Sequence, residues 1–149
     1  MRRRRLFLVI LSTTLLMLAT VGPIAASAPQ PVTITVLTGF DEIPDPFDAT
    51  GDVVCDEGVV SNTFSLFTGW QSNTHAQILV GKHFVCGDGT FDILLRVKLS
   101  FATQDTAGTW SVQSGTGAYA GLHGTGTITG DSTGEESILD VFTGSMHID

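Results

Sequence analysis

Asp140 is the residue whose surroundings most invite chemistry. It lies in an apolar run, Leu139–Phe142. A carboxyl turned inward there would be held protonated by burial and could act as an acid or base. Turned outward, it would meet water or bond a turn. Four histidines, His75, His83, His123 and His147, could contribute imidazoles. None stands two or four residues from another, so zinc would require long-range assembly, and no metal site is predicted. The acids Asp41, Glu42, Asp45, Asp48 and Asp52 crowd the stretch Phe40–Asp52 beside two prolines. Clustered oxygens suit calcium, but the spacing is not that of an EF-hand. The stretch reads as a solvated acidic loop. Serine and threonine are plentiful, yet no G-x-S-x-G elbow or other local triad signature occurs. Gly115-Thr116-Gly117-Ala118-Tyr119-Ala120 satisfies G-x-G-x-x-A, the loose dinucleotide fingerprint. That fingerprint requires a helix opening at the glycines within a βαβ unit. The following Gly121-Leu122-His123-Gly124-Thr125-Gly126 cannot sustain one. No cofactor is predicted, and no catalytic residue is assigned.

The elements that would position these groups are strands. Phe91, Ile93, Leu95, Val97, Leu99 and Phe101 alternate with Asp92, Leu94, Arg96, Lys98 and Ser100. This period of two predicts a strand with one face buried and the other wet. Val32–Leu37, Val53–Cys55, Val59–Leu66, Ala76–Cys86, Thr109–Gln113, Gly124–Thr129 and Ser137–Ile148 read the same way. In Ala76–Cys86 the pair Gly81-Lys82 interrupts the pattern like a bulge. Gly87-Asp88-Gly89, Ala107-Gly108, Gly130-Asp131 and Thr133-Gly134 punctuate the runs. Short strands with regular turns predict an antiparallel barrel, with a β-sandwich as the alternative. Trp70, Trp110 and Tyr119 are expected in the core or at its rim.

The ends set the compartment. Arg2–Arg5 is a basic region, Leu6–Val21 is apolar, and Ala25-Ala26-Ser27-Ala28 supplies small residues for a peptidase. Residues 1–28 therefore read as a signal peptide, with cleavage after Ala26 or Ser27 competing with cleavage after Ala28. Residues 29–149 read as one domain. Four of the 7 basic residues leave with the leader, so Lys82, Arg96 and Lys98 face all 15 carboxylates. So acidic a chain repels phosphate backbones and anionic lipid surfaces, which excludes nucleic-acid and membrane partners after cleavage. The expected location is secreted or extracytoplasmic. Disulfides persist there, and Cys55 and Cys86 are the chain's 2 cysteines. A Cys55–Cys86 bridge is predicted, against two buried free thiols.

The segment Gly115-Thr116-Gly117-Ala118-Tyr119-Ala120-Gly121, followed by Gly124 and Gly126, resembles a turn shared by allene oxide cyclases and plant dirigent proteins. There a strand enters a G-[ST]-G-x-[FY]-x-G turn. The resemblance implies an eight-stranded antiparallel barrel, calycin-like in form, with an apolar interior. It also implies a hydrophobic substrate steered mainly by shape toward ring closure or coupling. Gly115, Gly117, Tyr119 and Gly121 carry over as structural turn residues. The polar pocket residues of those families lie outside the turn and transfer to no position here.

The reading that follows is non-catalytic: binding of a small apolar ligand, or an extracellular interaction module. The alternative is a cofactor-free cyclase or isomerase acting on a hydrophobic substrate in the barrel. The interior separates them. A packed interior removes both pocket readings, and a hollow apolar one favours binding. A hollow interior with a buried carboxylate or histidine, such as Asp140 or His83, favours catalysis.

Overall fold

A computed structural model describes residues 27–39, 44–69, 74–134 and 137–149. Most of residues 1–28, read above as a signal peptide, together with Asp41, Glu42 and Trp70, lies outside the described residues. The described chain is all β: β1 (Gln30–Gly39), β2 (Asp45–Thr50), β3 (Glu57–Thr68), β4 (His75–Val85), β5 (Gly89–Ser100), β6 (Thr106–Gly117), β7 (Leu122–Ser132) and β8 (Ser137–Ile148). Each strand pairs antiparallel with the next, and β8 returns to β1, closing an eight-stranded barrel. Closure covers most of the sheet edge, although β2 pairs with β3 over Glu57–Val60 and not along the rest of β3.

Alternation explains most of these strands. On β5, Phe91, Ile93, Leu95 and Val97 are buried and Arg96 and Lys98 are exposed. Phe101, expected to continue that face, instead lies in the turn after β5. On β1, Val32, Ile34 and Val36 face inward, and on β8 Asp140, Phe142 and Met146 do so.

Four expectations need correction. Ala107-Gly108 and Gly130-Asp131 are not turns but lie within β6 and β7. The acidic stretch is not all loop, because Asp45–Thr50 forms β2 and pairs with both β1 and β3. Phe47 and Ala49 are buried there while Asp48 points outward, a short period-two pattern masked by acids and prolines. Val53–Cys55 is not a strand but part of the turn between β2 and β3. The bulge expected at Gly81-Lys82 is on the opposite strand. The register shifts between Asn62 and Phe64, so the extra residue belongs to β3. A side chain on Gly81 would collide with Thr63 Oγ1 and with the Phe64 ring, which explains the glycine.

The two ends of the barrel differ. The end carrying the β2–β3, β4–β5 and β6–β7 turns is packed. Phe84 stacks on Phe91 at 4.8 Å and meets Phe47 and Phe142 edge-on at 5.1 Å and 6.0 Å. Phe91 meets Tyr119 at 5.4 Å. The Cys55–Cys86 disulfide joins the β2–β3 turn to the end of β4 there, with the Cα atoms 6.1 Å apart. The opposite end carries the β1–β2, β3–β4, β5–β6 and β7–β8 connections, and there the interior is hollow.

Candidate functional site

The hollow half holds a partly open cavity of about 240 Å³. Its lining is mixed: Val80, Leu95, Val97, Ile128 and Ile138 are apolar, Asn62, Ser65 and Thr106 are neutral polar residues, and Thr38, Lys82 and Asp140 form a hydrogen-bonded set. A second space of about 360 Å³, bounded by Leu99, Phe101 and Gln104, shares Phe67, Ile78, Thr106 and Ile138 with the first. It forms a vestibule toward the barrel end. An apolar hollow with a few convergent polar groups is the usual form of a small-molecule site.

The hydrogen-bonded set comes from three distant strands. Lys82 of β4 is 3% exposed and Asp140 of β8 is 7% exposed. Thr38 of β1 joins them: its Oγ1 donates to Asp140 Oδ2 at 2.7 Å and accepts from Lys82 Nζ at 3.4 Å. Asp45 of β2 stands at the same end, where its Oδ1 accepts from the Gly39 amide at 2.9 Å. Burial lowers the Lys82 ammonium below the ordinary lysine range, although the Asp140 and Asp45 carboxylates pull it back up. Burial raises the Asp140 carboxyl, and Asp45 adds to the rise; the Thr38 hydrogen bond and Lys82 oppose it without cancelling it. Both shifts favour the uncharged forms. The arrangement can therefore hold or exchange a proton inside the chamber.

Other polar clusters lie on the outer wall or at the packed end. His83 Nδ1 meets Asp92 Oδ1 at 2.6 Å, and Ser114 Oγ donates to Asp92 Oδ2 at 2.5 Å. The residue types are those of a hydrolytic triad, but the carboxylate stands in the middle. Ser114 bonds Asp92 rather than His83, so the imidazole is not placed to take its proton. Burial tends to raise the Asp92 carboxyl, and the Ser114 and His83 bonds outweigh it and leave it below the usual range. His123 and His147 are paired across β7 and β8, with rings 5.5 Å apart. Asp149 receives both, at 3.0 Å and 3.5 Å. This is a long-range meeting of histidines that spacing could not reveal. No group of three or more ligating residues suited to a metal occurs among the described residues. A larger concavity, about 520 Å³, lies along the outside of β3–β6, and its charged residues, Arg96 and Lys98, are exposed. It lacks the buried pair that distinguishes the interior.

The glycine-tyrosine segment forms the β6–β7 corner at the packed end. Gly117 and Gly121 take φ of 61° and 77°, where a side chain would strain the backbone. The Tyr119 amide donates to Thr116 O at 3.1 Å, and the Leu122 amide to Tyr119 O at 3.0 Å. Gly115 leaves room for the Tyr119 carbonyl. The Tyr119 ring is buried, and its hydroxyl donates to Asp88 Oδ1 at 2.8 Å. These residues lie at the end of the barrel opposite the cavity.

Asp140 was legible as a candidate, whereas Lys82 and Thr38 were not. One signal was available: Lys82 is in phase with Ala76, Ile78, Val80 and Phe84, so the alternation of β4 turns it inward. Comparison with known proteins finds no matching family model, curated protein or solved structure.

Proposed function

We propose that this protein is a secreted binding barrel. It takes a small, largely apolar molecule into the hollow half and fixes one polar group of that molecule on Thr38, Lys82 and Asp140. The observation that carries this reading is the chamber with a buried lysine and carboxyl at its wall. Burying two ionisable groups costs several kcal/mol unless they are well paired, and packed apolar residues would serve stability as well or better. Their retention is better explained by a ligand than by the fold. The disulfide and the lack of a membrane-crossing helix among the described residues are compatible with an extracytoplasmic setting. The likeness of Gly115–Gly121 to the allene oxide cyclase and dirigent turn supports the same reading by analogy, since those barrels hold hydrophobic substrates.

A second reading is favoured by the same pair. An amine lowered and a carboxyl raised by burial, bridged by a hydroxyl, could act as base and acid in a cofactor-free isomerisation or cyclisation. Both readings need the chamber to admit a ligand. A solvatochromic apolar dye tests this: its fluorescence should rise with the wild-type protein. Val80→Phe should abolish the rise while leaving the circular dichroism spectrum unchanged. A protein that binds no apolar probe, or a Val80→Phe variant that binds it equally well, would remove both readings. Turnover of a bound substrate that is lost in Asp140→Asn, with binding retained, would select the second.

A further inference from the structure

We propose that Lys82 captures carbonyl compounds: its ε-amine forms an imine with the aldehyde or ketone group of a small apolar molecule bound in the barrel. This inference rests on the chamber being a ligand site and names the chemical class it takes. Of the cations Lys82, Arg96 and Lys98, the last two lie exposed on the outer face of β5, and only Lys82 points into the chamber. Val80, Leu95 and Ile128 line the chamber with it, and the amine itself is almost fully buried. Lysines become nucleophiles when a hydrophobic pocket strips water from the ammonium and leaves the free amine.

The neighbouring groups suit the step. Asp45 from β2 and Asp140 from β8 act on Lys82 by charge, Thr38 from β1 bonds it, and Asn62 of β3, its cross-strand partner, lines the same chamber with Ser65 and Thr106. The Nζ lone pair attacks the carbonyl carbon, forming the C–N bond, and one of the two Nζ protons passes to the oxygen to give a neutral carbinolamine. A protonated Asp140 then donates to the departing hydroxyl, which leaves as water. The remaining N–H proton returns to the Asp140 carboxylate as the C=N bond forms. The sum is amine plus carbonyl giving imine plus water, with no change of oxidation state. Thr38, bonded to both Asp140 and Lys82, holds the two in register. The charge balance also disfavours a carboxylate ligand. It would place a third acid beside Asp45 and Asp140 where Lys82 is the single basic side chain of the chamber, whereas a carbonyl is neutral.

The test treats the full exported protein with hexanal and cyanoborohydride, which reduces an imine to a stable secondary amine. Peptide mass mapping then locates the adduct. The expected result is one adduct per chain, at Lys82, formed at least tenfold faster than at Lys98 or the α-amine. Lys82→Arg, which keeps the charge, should remove that adduct, and Val80→Phe should block it by filling the chamber. Asp140→Asn should slow it at least tenfold. Labelling of Lys98 and the α-amine with Lys82 unmodified in the wild-type protein would overturn the proposal without recourse to any variant. Dye binding separates the two failures. A chamber that binds dye but does not label refutes imine formation alone. A chamber that does neither removes the ligand site as well.

Discussion

Tyr119 is the chain's 1 tyrosine, so its ionisation can be followed without interference. Burial, followed by the Asp88 hydrogen bond and carboxylate charge, pushes its phenol up to about 12. Because the folded value lies above the ordinary one near 10, the contribution to stability is complete below about pH 10 and is lost as the pH rises toward 12. Ultraviolet titration should place the folded phenol near that upper value, and the urea-unfolded chain near the ordinary one. Coincident curves would contradict the buried bond. Tyr119→Phe should cost about 1–2 kcal/mol in urea unfolding. The buried pair behaves differently. Asp140→Leu leaves the Lys82 charge buried with its nearest acid gone, and should cost about 3 kcal/mol or more. Lys82→Met leaves a carboxyl that can stay protonated, and should cost less. The double variant Lys82→Met/Asp140→Leu should melt at or above the wild-type temperature and bind no carbonyl probe. Asp140 is raised in the fold, so its contribution is most favourable at acid pH. It turns unfavourable as the pH rises from the ordinary carboxylate range through the raised value.

Trp110 shows how one strand shapes its neighbours. Its indole nitrogen donates to Thr127 O at 3.0 Å, and the ring lies over two glycines of the next strands. Gly126 faces Trp110 in the β6–β7 register and Gly144 in the β7–β8 register. A Cβ at either glycine would stand 2.6 Å from indole carbons. Neither glycine has a positive φ, so the constraint is space and not backbone conformation. Gly126→Ala and Gly144→Ala should each lose about 1–3 kcal/mol by urea unfolding. Gly87→Ala, with nothing within 4 Å of the added carbon, should change stability by less than about 0.5 kcal/mol. Equal losses at all three positions would refute the slot.

The whole molecule divides its work between its ends. The disulfide, the aromatic stack and the Tyr119–Asp88 bond lie at one end, and the chamber lies at the other. Removing the bridge as Cys55→Ala/Cys86→Ala should cost about 3–4 kcal/mol, since the cysteines are separated by 31 residues and their loop is freed in the unfolded chain. Dye affinity in the chamber should be unchanged at temperatures where the variant is folded. Loss of binding with the fold retained would show that the two ends are coupled.

Much of the barrel can be read from local pattern. The alternation from Phe91 to Val97 dictates β5, and the glycines around Tyr119 dictate a corner, because each depends on neighbours in the chain. β2 was hidden, since two prolines and a run of acids outweighed the alternation of Phe47 and Ala49. Asp140 was legible as a residue that matters if it faces inward. Its partners were not: Thr38 is 102 residues away, and Lys82 looked like an interruption of β4. The meeting of His123 with His147 was hidden in the same way. The sequence by itself determined the strands, the corner and the acidic balance, which follow from side-chain periodicity, backbone freedom and composition. Only the tertiary structure decided that one half is packed while Thr38, Lys82 and Asp140 converge in the other. Such a meeting depends on cross-strand register and on closure of the barrel, which no local stretch of chain encodes.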